Sequence, residues 1–420
     1  MRAFFRRFYW LLLLQISALF GVGIYVLYRV IVTGQQLDML HYHAVAEALM
    51  RGELPYRDFL LEYPPLSVVA FVLPKFLIFG SSSFALYAWA FLAQAVLASA
   101  LLGIWLVRLT SRWSFPMRAQ ASLTLYVTLV ISGAFLLPWR YDLFPVLLTA
   151  VAFEFILRRR PGACGFFLGL GTAAKLYPLV LVPIFGLYLL CQNMRRDFYR
   201  MLFGGAIALI LCILPFLILS PASLLNFIHY HQQRGFEIGS LGAGLGALAH
   251  VLGWSIARYD FVFGGLQLEA PWTVRALPWV TGAMPGLFLI VILRCAFVFK
   301  QSWLKEKLIP PYELARFTVI ALLLFMIGNK VLSPQYLFWL LPFAPLLTRK
   351  QAWQIFALFA LTTLIYPLLF AQLQRFEPIA VVILNLRNFG MLLTLVAMLS
   401  LRASDSGQNF RLVRTNPVPN

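Results

Sequence analysis

Carboxylates are scarce in this chain. Its 420 residues hold 15 Asp and Glu against 34 Lys and Arg, and only 12% are charged. So few charges cannot solvate the surface of a soluble protein this long. Cysteine is also sparse. The four, Cys164, Cys191, Cys212 and Cys295, are scattered among apolar residues without a CxxC pair. That pattern indicates neither a zinc site nor a disulfide framework. No internal repeat is evident, so the inverted-repeat signature of secondary transporters is missing. A net charge of +19 could suit nucleic acid. The basic residues, however, fall in short clusters between apolar runs, so no nucleic-acid partner is expected.

What is abundant is apolar sequence. Hydrophobic residues make up 61% and the mean hydropathy is +0.83. Apolar runs near membrane-spanning length recur along the chain. They predict an all-α, polytopic membrane protein with about twelve transmembrane helices. The expected spans are Phe8–Val32, Phe84–Val107, Ala119–Leu137, Leu143–Leu157, Cys164–Ala174, Leu176–Cys191, Met201–Leu219, Leu277–Val298, Phe317–Ile327, Tyr336–Leu347, Ala352–Phe370 and Ile379–Leu401. Several are shorter than a full span, so their ends extend into polar stretches or line a cavity. The first, preceded by Arg2, Arg6 and Arg7, lacks a convincing cleavage site and reads as an uncleaved span. Residues 1–402 are expected to form one membrane domain, and 403–420 a disordered cytoplasmic tail.

Orientation follows from the basic clusters. Arg2–Arg7, Arg108–Arg118, Arg158–Arg160, Arg195–Arg200, Lys300–Lys307, Arg349–Lys350 and Arg402–Arg414 share one side if the spans alternate. The positive-inside rule makes that side cytoplasmic, with both termini there, in a multi-pass plasma (inner) membrane protein. Most acidic residues then fall outside.

Five of the 15 acids, Asp38, Glu47, Glu53, Asp58 and Glu62, lie between Leu37 and Leu66. Asp38 is a suitable N-cap for a helix ending at Gly52, with Glu47 and Arg51 spaced for an i,i+4 pair. Pro64 and Pro65 suit the start of a second helix, about Leu66 to Phe79, too short to span. Two helices lying at the membrane surface are expected in this first outer loop. The structural alternative makes Asp38 only a cap and Glu47 only a solvated charge. Arg140, Lys175 and Lys330 each lie at the outer mouth of a span. Isolated cations near the membrane core cost roughly 2.5–3.5 kcal/mol or more, so three at one level suggest a polar pocket holding an anion. Snorkelling to the interface is the alternative for any one of them.

One resemblance ties these stretches together. The residues are Asp38, Tyr42, Gly52, Pro55-Tyr56, Glu62-Tyr63-Pro64-Pro65, Arg140-Tyr141-Asp142, and Gly169-Leu-Gly-x3-Lys175-Leu-Tyr-Pro178. Tyr230-His231-x-x-Arg234-Gly235 and Lys330-Val-Leu-Ser-Pro-Gln-Tyr336 follow. In this order they resemble the GT-C glycosyltransferases, and more narrowly the polyprenol-phosphate-mannose-dependent mannosyltransferases of glycosyltransferase family 87. The run Gly165-x3-Gly169-x-Gly171 lacks the Gly-Lys-Ser/Thr ending of a phosphate loop and reads as close helix packing.

The resemblance implies a GT-C-like fold and a site outside the cytoplasm. It implies inverting transfer of a hexose, mannose in the family, from a polyprenyl-phosphate donor to a lipid-linked or envelope glycan. Asp38 matches the family's general base. Arg140, Lys175, Lys330, Arg234 and His231 are candidates for the donor phosphate. His41, Tyr42, Glu62, Tyr63, Asp142, Tyr177 and Gln335 are candidates for sugar or acceptor. Met39 and Leu40 follow Asp38, so the paired acids of many GT-C enzymes are missing; no cofactor and a metal-independent reaction are expected. The expected partners are the lipid-linked donor, the glycan acceptor and membrane lipids. The competing classes are a transporter or flippase of lipid-linked sugars, and a ligase or polymerase of such glycans.

Overall fold

The computed structural model describes residues 2–33, 37–220 and 226–402. The expected tail at 403–420 lies outside the described residues. The fold begins with a long apolar helix, α1 (Arg2–Thr33), followed by two short ones, α2 (Leu37–Met50) and α3 (Ser67–Leu77). Asp38 sits in the first turn of α2, where a carboxylate favours the positive end of the helix dipole. Glu47 departs from expectation. Arg51 pairs with Glu53 instead, at 2.7 Å. Glu47 takes Lys75, a fully buried lysine near the end of α3, which also bonds the Ser81 carbonyl at 2.6 Å. Burial explains the exchange, because a desolvated ammonium requires a counter-charge and acceptors, and Arg51 stays in solvent.

Next come α4 (Phe84–Arg112), α5 (Ala119–Ser132) and α6 (Leu143–Leu157). Helices α7 (Pro161–Ala174), α8 (Val182–Leu190) and α9 (Arg195–Leu219) follow. Helix α4 starts at Ser83, whose hydroxyl accepts from the Leu86 amide. The glycines of α7 bring it against α9. A Cβ on Gly165 would overlap the Met201 carbonyl, and one on Gly204 the Gly162 carbonyl. The expected glycine packing is present.

The segment that follows α9 carries its own structure. It holds α10 (Asn226–Gln233), β1 (Phe236–Glu237), α11 (Leu241–Val251), β2 (Arg258–Val262) and β3 (Gly265–Glu269). The strands form a small antiparallel sheet ordered β1-β3-β2, with Glu237 opposite Gln267. The remaining helices are α12 (Thr273–Glu306), α13 (Pro311–Ile327), α14 (Arg349–Thr363), α15 (Phe370–Gln374) and α16 (Pro378–Ser400). Helix α13 is almost wholly buried and forms the centre of the core.

One expected span is not an α-helix. Tyr336–Leu347 falls on two 3₁₀ segments, Pro334–Leu340 and Ala344–Leu346. Pro334, Pro342 and Pro345 remove the amides that an α-helix through this stretch would require. Among the described residues, six helices are long and apolar enough to cross a membrane: Phe8–Arg29, Phe84–Arg112, Arg195–Leu219, Thr273–Glu306, Arg349–Leu368 and Pro378–Ser400. The chain is a multi-pass, all-α membrane protein apart from the small sheet. The shorter apolar helices, such as α6 and α7, pack among them.

Candidate active site

Helix ends and turns meet around a cavity of about 1290 Å³. Several come from places where the backbone leaves a helix. Arg140 and Lys175 follow helical segments in extended conformation, so each side chain projects past the helix end. The loop after α2 is tied to the end of α7 by a hydrogen bond from the Leu66 amide to the Ala173 carbonyl, 2.8 Å. This brings Glu62 and Tyr63 beside Lys175 and Tyr177 on one wall. Lys330 lies in the turn after α13, with Gln335, Tyr336 and Trp339 on the 3₁₀ segment beyond it. Helix α10 supplies His231, the turn into β1 supplies Arg234, and β1 itself supplies Glu237.

Of the expected site residues, Asp38, His41, Glu62, Tyr63, Arg140, Lys175, Tyr177, His231, Arg234, Lys330 and Gln335 line this cavity. Tyr42 and Asp142 do not. Tyr42 is buried behind the wall, stacked on Phe71 at 4.4 Å. It supports Tyr63 and Tyr141 edge-on. Asp142 is 1% exposed, and its Oδ1 accepts from Lys175 Nζ at 2.7 Å and from Trp339 Nε1 at 2.8 Å. Both side chains pack behind the residues that line the cavity and support them.

The cations are not equivalent. Arg140 forms an ion pair with Asp38. Lys175 pairs with Asp142 and lies over the Tyr141, Tyr336 and Trp339 rings at 4.7–5.8 Å. Arg234 lies 4.0 Å from Glu237. Lys330 donates to the Gln232 carbonyl at 2.6 Å, and among the described residues no carboxylate pairs with it. Its pKa is lowered by burial and by the Arg234 charge. His231 titrates at about 4, held down first by burial and then by Arg234, so its imidazole is neutral near pH 7. Arg234, Lys175 and Lys330 all act on His231, and Arg234 acts on Lys330. His41 lies 3.9 Å from Glu62.

Glu237 and Trp339 escaped the sequence reading. Trp339 is sandwiched between Tyr177 and Tyr336, each 4.2 Å away. Its sequence signal was slight, one Trp in an apolar run. Glu237 had a better one: an acid three residues after Arg234, in a chain with so few acids. Among the described residues no group of three or more His, Cys, Asp and Glu is placed to hold a metal ion.

Glycosyltransferase family 87 matches the chain over residues 59–304. The chain belongs to glycosyltransferase family 87. This membership accords with the family resemblance carried by the motifs around Asp38, Lys175 and Lys330. A search of curated proteins gives no match. Among solved structures, the chain is similar to the archaeal oligosaccharyltransferase AglB from Archaeoglobus fulgidus in complex with an inhibitory peptide and a dolichol-phosphate. Identity is 12% and the TM-score 0.41, over 95% of this chain and 56% of that one. It is also similar to the apo form of the Archaeoglobus fulgidus oligosaccharyltransferase, at 12% identity and TM-score 0.39, over 94% and 56%. The chain spans just over half the length of these structures.

Proposed function

We propose that this glycosyltransferase moves a hexose, mannose on the family resemblance, from a polyprenyl-phosphate donor to a lipid-linked or envelope glycan, with inversion and without a metal. The observation that carries the reading is one cavity holding both a carboxylate and a set of cations. Asp38, held by Arg140, stands in the same cavity as Lys175, His231, Arg234 and Lys330. The acceptor hydroxyl attacks the anomeric carbon while Asp38 takes its proton. The bond from that carbon to the phosphate oxygen breaks, and the electron pair stays on the phosphate. Lys330, Arg234 and Lys175 stabilise the developing charge, and neutral His231 offers a hydrogen bond. Arg140, expected to touch phosphate, pairs with Asp38 in this reading and orients it.

A transporter or flippase of lipid-linked sugars would hold its polar groups on broken helices at mid-membrane. Here the cavity is built from helix ends and the sheet-bearing segment, which favours chemistry. A ligase or polymerase would take a diphosphate lipid donor. Purified protein in detergent should transfer hexose from a polyprenyl monophosphate sugar to an envelope glycolipid, and should keep doing so in excess EDTA. Transfer from the diphosphate alone would move the protein to the ligase class, and sensitivity to EDTA would overturn the metal-independent reading.

The face of the membrane is tested separately. We place the site outside the cytoplasm of the plasma membrane, with both termini inside. Arg258 on β2 and Arg159 after α6 are both exposed. In a cysteine-free background, Arg258→Cys should react with an impermeant maleimide on intact cells, and Arg159→Cys only after lysis. The reverse pattern would invert the orientation.

A further inference from the structure

We propose that Glu237 reads a hydroxyl of the transferred sugar. This rests on the transferase reading above and names a contact that reading did not assign. Glu237 lines the cavity, yet its side chain is nine-tenths buried. One oxygen, Oε1, accepts from the Ser333 hydroxyl at 2.5 Å and lies 4.0 Å from Arg234. The other, Oε2, is buried and receives no hydrogen bond from the described residues. A carboxylate is an acceptor only, and a buried acceptor left without a donor is costly. Oε2 is thus an acceptor with no donor among the described residues, and a donor on a bound ligand would satisfy it.

The surroundings select the donor. A second metal-like cation is superfluous, because Arg234 already lies beside the carboxylate and the buried Arg387 contributes positive charge from α16. A phosphate is repelled by Glu237 itself. A neutral hydroxyl fits, and a hexose carries several. Position adds to this. The Glu237 amide donates to the Lys330 carbonyl at 2.9 Å, and its carbonyl accepts from the Ser240 amide at 2.8 Å. The Glu237 backbone is therefore fixed to that of Lys330, and its carboxylate lies beside Arg234, one of the cations assigned to the donor phosphate. The group next to that phosphate is the donor's sugar, so the donor, not the acceptor, is the source of the hydroxyl. Rigid backbone bonds on both sides give the discrimination that a site built around one hydroxyl can reach.

The test is competitive binding of polyprenyl-phosphate hexoses that each lack one ring hydroxyl, to wild type and to Glu237→Gln. In wild type, one deoxy donor should bind about 10- to 100-fold more weakly than the parent. Glu237→Gln should lose a similar factor for the parent and show no further loss for that one deoxy donor. Ser333→Ala keeps every charge in place and should weaken the same hydroxyl contact by a smaller factor. If Glu237 were only a counter-ion, Glu237→Gln would weaken all donors alike, or unfold the protein while Ser333→Ala kept full discrimination; either overturns the proposal. Wild type that transfers sugar without discriminating the deoxy donors overturns this proposal alone. Glu237-dependent discrimination without transfer overturns the transferase reading alone.

Discussion

Asp38→Asn should lower sugar transfer by roughly 10²-fold or more, the usual contribution of a positioned general base, with the protein still folded and inserted. Asparagine keeps an oxygen that can accept from Arg140, so the first turn of α2 retains its contact. What is lost is the negative charge and the ability to take the acceptor's proton. The Asp38 side chain is about one-third exposed while that of Arg140 is mostly buried. Both side chains line the cavity, and the carboxylate is the more accessible of the two. Arg140→Gln makes the complementary test. It leaves Asp38 present but free to swing, and turnover should fall less than in Asp38→Asn. Near-normal turnover in Asp38→Asn would sink the assignment. Glu62 is the next acid to test, since it lines the same cavity beside His41.

Much of the fold was legible because apolar length is written directly in the sequence. The short helices α2 and α3 were legible from Asp38, Gly52 and the Pro64-Pro65 pair. The sheet was not. Its strands are only two to five residues long, and Arg258–Val262 alternates too briefly to stand out among apolar runs. The break at Pro334–Leu340 was hidden because hydrophobicity there resembles a span, although its prolines were visible. At the site, residue types at helix mouths predicted which side chains would gather. They could not predict pairing. That Arg140 goes to Asp38 and Lys175 to Asp142 depends on distances between segments far apart in sequence. Asp142 was a candidate for sugar or acceptor through the Arg140-Tyr141-Asp142 motif of the resemblance. In the structure two donors, Lys175 just after α7 and Trp339 on the 3₁₀ segment, hold its buried carboxylate.

That burial sets the second large effect. Lys175→Met removes the counter-charge of Asp142, which is 1% exposed. Breaking a buried pair by deleting one partner costs about 3–5 kcal/mol, because the remaining charge is uncompensated. The single variant should therefore lose thermal stability as well as activity. Its low turnover would say nothing of phosphate. Asp142→Asn with Lys175→Met removes both charges, and Asn can still accept from Trp339 Nε1. The double variant should recover most of the stability, a strong non-additivity expected of neighbours in one network. Its transfer should stay low if the Lys175 ammonium acts on the leaving phosphate. Lys330→Met is the cleaner counterpart, since Lys330 pairs with a carbonyl and no buried acid depends on it. It should fold normally and lower turnover more than donor binding, because charge on the phosphate grows towards the transition state. Thermal midpoint, donor affinity and turnover measured on the same three variants separate the roles. A double variant that transfers sugar as wild type does would make Lys175 a structural counter-ion and leave the phosphate to Lys330 and Arg234.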